Sequence, residues 1–380
     1  MYQLDERVVI TLDAGGTNLV FSAFNGKGTI SVDPITLPYP EEKDDLKKRL
    51  SDCMDQLVKG FEMVKSQLSV EPVAISFAFP GPADYNSGII GPGYLPNFPE
   101  FRDGVALGPF LEMKFKIPVF INNDGDLFAY GEAMSGVLPE INRKLHDAGS
   151  PKRYKNLIGY TFGTGFGIGL VEDCKLHRGD NACVETFCLD NKTHPGYIVE
   201  DGVSIRAVKR VYSEVSGDKD HKLEPKDIYE IAVGKRNGHK EAAKRAFEEL
   251  GEVAGNAMAT AATLYDGLIV IGGGLTGARD LFMPSIISEM RGKINTMSGD
   301  VIDRIPMEVY NLDDEAEFAK FAEGDSRLIK VYGTDKTVIC DPKKRIGVAI
   351  SKIGASRAIS LGAYAYALKI IDERLRSKNC

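Results

Sequence analysis

The chain has no tryptophan, only five histidines and six cysteines in 380 residues, and no excess of positive charge: 47 Lys and Arg stand against 54 Asp and Glu. Each shortage closes off a class of function. A formal net charge of −7 argues against an extended nucleic-acid surface, because affinity for the phosphate backbone comes from many Lys and Arg neutralising it. No run approaches the roughly 18 apolar residues of a membrane-spanning helix. The start, Met1 to Ile10, carries acidic residues at once and only a short apolar stretch, so no signal-peptide core is expected and a cytoplasmic location is. Cys53, Cys174, Cys183, Cys188, Cys340 and Cys380 therefore read as reduced thiols rather than a disulfide frame. Cys174, His177, Cys183, Cys188 and His194 fall in one short segment, but without the close C-x-C or C-x₂-C pairs that anchor structural zinc, so zinc is not expected.

At 380 residues the chain exceeds the size one hydrophobic core usually fills, and two lobes are expected. Leu46, Leu50, Met54, Leu57 and Phe61 recur every three or four residues and predict a helix over 44–67, among strand-like runs that together make an α/β lobe. Val73 to Phe79 reads as a buried strand closed by Pro80-Gly-Pro82. A long Gly-, Pro- and Asn-rich loop over 83–104 follows, of a length more often functional than idle. Pro118 to Ile121 predicts a strand ending at Asn122-Asn-Asp-Gly-Asp126, with helical spacing over 127–134. Beyond Asp227 the pattern is mostly helical, and the Ala-rich stretch 242–264 suits close helix packing. A strand over 267–271 and a helix over 278–290 come next. The charged stretch 311–347 reads as an inserted hairpin, and a last helix over 357–375 is expected to dock on the first lobe.

Three glycine-rich turns hang on apolar runs: Asp13-Ala-Gly-Gly-Thr17, Gly163-Thr-Gly-Phe-Gly-Ile-Gly169 and Ile271-Gly-Gly-Gly-Leu275. The first two each join an entering strand to a returning one. Consecutive glycines let backbone N–H groups converge on an anion, and Thr17 adds a hydroxyl and Asp13 a carboxylate suited to hydrated Mg²⁺. Taken alone, the first turn reads equally as a tight hairpin. Glycines at 163, 165 and 167 remove side chains along one edge and allow a phosphate close to the backbone. The dinucleotide fingerprint is excluded, since that motif opens a helix, whereas this turn opens a second strand.

The order of these motifs resembles the actin, Hsp70 and sugar-kinase superfamily. Within it the chain is similar to the ROK-family sugar kinases, on Asp13-Ala-Gly-Gly-Thr-Asn18, Pro80-Gly-Pro82, Pro96-Asn-Phe-Pro99, Pro118-Val-Phe-Ile-Asn-Asn-Asp124, Gly131-Glu132, Gly163-Thr-Gly165 and Ile271-Gly-Gly-Gly274. The resemblance implies a two-lobed, duplicated actin-like ATPase (ribonuclease H-like) α/β fold with an interlobe cleft. The small lobe would take 1–122 and 357–380, and the larger one 123–356. It further implies a homodimer and γ-phosphoryl transfer from ATP, with Mg²⁺, to a hexose hydroxyl, most simply the 6-hydroxyl of a glucose-like sugar. Asp124 would be the base and Asp13 would orient the hydrated Mg²⁺. ATP would meet Asp13, Gly15, Gly16, Thr17 and Asn18, then Gly163, Thr164, Gly165 and Gly167, with Gly272, Gly273, Gly274 and Leu275 beside the adenosine. Pro82, Asn97, Asn123, Asp124, Glu185, Cys188 and Glu200 would line the sugar.

Simpler roles stand beside these: Asp124 as a helix N-cap before Leu127, and the asparagines as turn formers. The family's Cys-x-Cys-Gly-x-x-Gly-Cys knot is missing, and Cys188 stands where the family has a histidine, so the preferred hexose is open. Three rivals remain. A sugar-sensing regulator would need a DNA-binding domain, for which no room precedes the first strand near Arg7. An oxidoreductase is opposed by the hairpin context of the glycine turns. A sugar-binding protein without catalysis is opposed by Asp124 and both phosphate turns.

Overall fold

A computed structural model describes residues 2, 4–14, 18–29, 32–42, 44–93, 95, 97–218 and 222–378. The chain divides into two compact units: Met1–Ser135 with Leu176–Val184 and Ser356–Cys380, and Gly136–Lys175 with Glu185–Ala355.

The first unit opens with strands β1 (Val9–Ala14), β2 (Asn18–Asn25), β3 (Gly28–Thr29) and β4 (Ile35–Pro38), followed by helix α1 (Leu46–Gln67). Asp45 caps α1, its side chain accepting the Lys47 and Lys48 N–H groups. Cys53, Leu57, Gly60, Phe61 and Val64 form the buried face, and Phe61 meets Phe21 of β2 edge-on at 5.0 Å. Strand β5 (Ala74–Ala78), the short β6 (Ala83–Asp84) and β7 (Ile89–Ile90), α2 (Leu107–Phe115), β8 (Val119–Asn122) and α3 (Asp124–Ser135) complete the run. The sheet order is β3-β2-β1-β5-β8, with β4 also on β2. β1 and β2 are antiparallel, whereas β1–β5 and β5–β8 are parallel, Ala78 standing opposite Asn122. The expected loop over 83–104 thus contains the β6–β7 pair and a 3₁₀ turn at Pro99–Phe101.

The second unit repeats this plan. It comprises α4 (Val137–Asp147), β9 (Leu157–Phe162), β10 (Phe166–Glu172), the start of β11 (Lys175–His177), α5 (Ile205–Ser216), α6 (Pro225–Ala232), α7 (Lys240–Leu264), β12 (Leu268–Gly272), α8 (Arg279–Met290), β13 (Lys293–Asn295), β14 (Val301–Asp303), β15 (Glu308–Asn311), α9 (Glu315–Glu323), β16 (Arg327–Lys330), β17 (Thr337–Cys340) and β18 (Arg345–Ile350). The central strands run β10-β9-β12-β18-β15. Again an antiparallel pair, β9–β10, is followed outward by parallel partners. Small residues of α7 let α8 lie close: a Cβ at Gly251 would fall 2.4 Å from the Phe282 carbonyl oxygen. The stretch 311–347 is more than the hairpin expected there. β15 and β18 are parallel strands of the main sheet, α9 lies between them in sequence, and only β16–β17 form a separate antiparallel hairpin. Charge-rich sequence masked the short β15 and the α9 helix, whose buried residues are only Phe321 and Ala322.

The last helix, α10 (Ala355–Lys378), docks on the first unit, where Tyr364, Ala367 and Leu368 join Val9, Phe24, Ala74 and Phe120 in one apolar cluster. α10 and α3 meet backbone to backbone. A Cβ at Gly131 would lie 1.9 Å from the Ala358 carbonyl oxygen, and one at Gly362 would lie 2.0 Å from that of Leu127. This packing carries the first unit past the boundary expected at 122, because α3 belongs to the surface that α10 covers. Among the described residues no helix is long and apolar enough to cross a membrane.

Replacing Gly362 with Ala should therefore cost about 2–3 kcal/mol in urea denaturation, the usual scale of overpacking. Gly277→Ala, where an added Cβ meets nothing within 4 Å, should stay within about 0.5 kcal/mol of wild type. Equal effects at the two positions would refute the assigned α3–α10 contact.

Candidate active site

β8 ends on the fully buried Asn122 and passes directly into α3. Asn123, not Asp124, caps the helix. Its side-chain carbonyl accepts the Gly125 N–H at 2.7 Å and its backbone carbonyl accepts the Leu127 N–H at 3.1 Å. Asp124 is the first helical residue, one position later than the capping role the sequence suggested, and its Oδ1 also accepts the Gly125 N–H, at 2.8 Å. Asp124 is exposed as a residue, while its carboxyl group loses hydration to surrounding protein atoms. Lost hydration raises that carboxyl above its usual range, the Gly125 and Asp124 N–H groups pull it down, and the charge of Asp13 pushes it up again. Asp13, paired with Val20 across the first hairpin, is exposed. A raised carboxyl is a stronger base than an ordinary aspartate.

Asp126, two residues on, is 8% exposed. Burial pushes its carboxyl to about 7, with Arg178 opposing and Asp124 reinforcing the rise. A second acid near the helix start is visible in Asn122-Asn-Asp-Gly-Asp126, but nothing local in the sequence distinguishes it from a solvated carboxylate. Arg178 left no local signal, being 52 residues away from Asp126 along the chain.

In the second unit, Phe162 faces Phe166 across the β9–β10 turn, and the Gly163 N–H bonds to the Gly165 carbonyl at 3.1 Å. Thr164 stands exposed at the tip. Gly167 is the second residue of β10, opposite Thr161. Two braces hold this turn. The Ile205 N–H reaches the Gly163 carbonyl at 2.9 Å, and Glu200 Oε2 accepts the Phe166 N–H at 3.1 Å while its Oε1 accepts Arg206 Nη2 at 3.1 Å. A Cβ at Gly165 would fall 2.7 Å from that Glu200 carboxylate. The third turn lies against the second. β12 runs parallel to β9 with Gly272 opposite Thr161, and Gly273, at φ +97°, leaves no room for a Cβ, which would sit 2.2 Å from the Phe162 carbonyl oxygen. Gly274 starts a 3₁₀ turn in which Leu275 is buried.

The other expected positions are scattered by role. Asn18 is exposed at the start of β2, while Gly15, Gly16, Thr17 and Pro96 lie outside the described residues. Pro82 is exposed and its carbonyl accepts the Gly91 N–H. Asn97 is exposed, and its backbone carbonyl accepts Arg49 Nη2 at 3.2 Å. Glu185 is half-buried and Cys188 exposed, both in the second unit. Among the described residues, no three His, Cys, Asp or Glu side chains gather into a metal-binding group.

Two sheets of like topology, each an antiparallel pair extended by parallel partners, define the class: this is the duplicated α/β fold of the actin-like ATPases. Within that class the chain belongs to the ROK family, whose model matches residues 9–302. It is 56% identical to the glucokinase of Parabacteroides distasonis, whose crystal structure superposes with a TM-score of 0.87 over 97% of this chain and 99% of that one. It is 25% identical over 308 residues to the glucokinase of Halalkalibacterium halodurans, covering 74% of this chain and 85% of that protein. The fold is shared with the ROK-family glucokinase of Streptomyces griseus solved with glucose and AMPPNP, at 18% identity and a TM-score of 0.59, over 94% of this chain and 98% of that one.

The raised carboxyl of Asp126 has a pH signature. A carboxyl whose pKa rises on folding favours the folded state while protonated. Its contribution is complete below the unfolded value, about 3.9, and is lost as pH climbs through about 7. Asp126→Asn stays neutral, so its stability relative to wild type should climb between about pH 4 and about pH 7, by at most about 4 kcal/mol, and then level off. Urea melts of both proteins across that range test this, and a flat difference would show that Asp126 ionises as freely as a surface aspartate.

Proposed function

We propose that the protein is an ATP-dependent hexose kinase, acting on the 6-hydroxyl of glucose or a close relative of it. The observation that carries this reading is Asp124: a carboxylate at the first position of α3, raised above its ordinary pKa and electrostatically coupled to Asp13. A sugar hydroxyl is a poor nucleophile, and a fixed carboxylate can accept its proton as the bond to the γ-phosphate forms, a role worth roughly 10²- to 10⁴-fold in rate. The glucokinase kinship at 56% identity supports the choice of reaction, and the bound glucose and AMPPNP of the Streptomyces griseus relative support the pairing of sugar with nucleotide.

In this reading the backbone of Gly163–Gly167 receives phosphate oxygens, and the Gly272–Leu275 turn lies by the adenosine. Asn97, Asn123, Glu185, Cys188 and Glu200 serve the sugar, with Pro82 shaping its loop. The donor set suits Mg²⁺, which keeps most of its water and takes one or two carboxylates plus substrate phosphates. Asp13, exposed and facing the charge of Asp124, is the residue that would hold it. When bound, the ion supplies neutralisation of phosphate charge. The chain's own residues do the rest: Asn123 fixes the start of α3, Asp124 takes the hydroxyl proton at its carboxylate, and Glu200 stiffens the phosphate turn.

A coupled assay of ADP release against glucose, mannose, fructose, N-acetylglucosamine and N-acetylmannosamine tests the reading. Glucose should give the highest kcat/KM, and silence on every sugar would favour binding without catalysis. Asp124→Asn should lose about 10²- to 10⁴-fold in kcat while nucleotide still binds; near-normal turnover would remove Asp124 from the role of base. Glu200→Ala, which frees the Phe166 N–H and Arg206, should raise the KM for ATP about 5- to 10-fold, the worth of about one charged hydrogen bond. An unchanged ATP KM would leave Glu200 to the sugar alone.

A further inference from the structure

Arg178 lies on Leu176–Val184, the short segment that the first unit takes from the middle of the chain. Its guanidinium gathers three neutral oxygens from three separate stretches. Nη1 donates to Asn122 Oδ1 at 2.9 Å, and Nη2 donates to Asn86 Oδ1 at 2.6 Å and to the Tyr366 hydroxyl at 3.0 Å. The cation also sits over the Tyr366 ring, 5.5 Å from its centre. Tyr366 of α10 in turn meets Phe120 of β8 edge-on at 6.0 Å and Tyr130 of α3 at 6.2 Å. So the β6–β7 turn, the end of β8, α3 and α10 converge on one side chain.

The point of contact on β8 decides what that side chain does. Asn122 is fully buried, is hydrogen-bonded through its carbonyl to the Phe79 N–H at 2.9 Å, and is followed immediately by the cap Asn123 and then Asp124. A planar fork held by three acceptors and an aromatic face loses little freedom when bound, so it fixes its partners in orientation as well as distance. Asp126, two residues beyond Asp124 on α3, also feels the charge of Arg178. Arg178 thus balances a buried carboxyl and ties down the residue from which the α3 turn springs.

We propose that Arg178 is a positioning residue for Asp124, acting through Asn122 and without touching substrate. The proposal rests on reading Asp124 as the base of a sugar kinase. A side chain that only stabilised the fold would lower melting temperature without a selective effect on turnover. One that touched substrate would change KM.

The test uses Arg178→Met, which keeps the length and removes the donors, together with Arg178→Lys and Asn86→Ala, which removes a single anchor at an exposed position. On the best sugar, Arg178→Met should lose about 10- to 100-fold in kcat with both KM values within about threefold of wild type. Arg178→Lys should recover part of that loss, and Asn86→Ala should lose a few-fold. Hydrogen exchange gives a readout that needs no activity: amides over 122–127 should exchange at least about tenfold faster in Arg178→Met while those of α1 stay unchanged. Should Arg178→Met fail to fold, Asn86→Ala carries the same two measurements. Unaltered exchange over 122–127, or a loss confined to KM, would overturn the proposal. A wild type silent on all sugars would instead sink the kinase reading, with the exchange measurement still deciding whether Arg178 fixes the loop.

Discussion

The parallel alignment of β1, β5 and β8 is the constraint on which the first unit depends. Parallel strands need crossover connections, and α1 and α2 supply them, so all three strands point their carboxyl ends the same way. That is how Asp13, at the end of β1, and Asp124, just past the end of β8, come to feel each other's charge across more than a hundred residues of sequence. Ligands of α/β sheets are met at the carboxyl ends of strands for the same reason: there the ladder stops and side chains become free to point outward. The apolar face that holds the alignment, with Phe21, Phe61 and Phe77 packed ring to ring, is remote from any chemistry, yet it sets where the chemistry can occur.

The second unit shows the same constraint with different furniture. β9 takes the place of β1, β10 that of β2, and β12 the parallel neighbour, and the glycines concentrate where two of these strands end side by side. Gly273 is a case in which one missing side chain serves two turns at once, because its backbone lies against the Phe162 carbonyl that precedes the Gly163 turn. Moving one turn would move the other.

Periodicity and glycine placement made most of this legible beforehand. α1, β5, β8, α8 and the docking of α10 follow from apolar spacing, and the helix start after β8 follows from Asn123 and Asp124, although which of the two is the cap depends on backbone angles that spacing does not encode. What stayed hidden has a common cause. β15 and β18 are neighbours in the sheet but are separated in sequence by α9 and an exposed hairpin, so local pattern alone favoured an insert. Arg178 is similar: its three acceptors lie 92, 56 and 188 residues away. The Gly131–Ala358 and Gly362–Leu127 contacts, which bring α3 into the first unit, are likewise invisible to any short window.

The segment from Cys183 to Glu200, where the expected cysteine-rich knot is missing from the sequence, is held by hydrogen bonds. Glu200 is already committed to two partners, the Phe166 N–H and Arg206. A carboxylate offers about four lone-pair directions, so two remain beyond these bonds. On the kinase reading proposed above, a sugar hydroxyl taking one of those directions would draw on the same carboxylate that braces the Gly163 turn, so one side chain would link the two. Without a cysteine-rich knot to anchor the neighbourhood, rigidity has to come from hydrogen bonds such as these and from the Asn191 side chain, which is almost fully buried and accepts the Thr193 and His194 N–H groups. A loop held by neutral and charge-assisted hydrogen bonds yields more easily than one pinned by thiolate ligands.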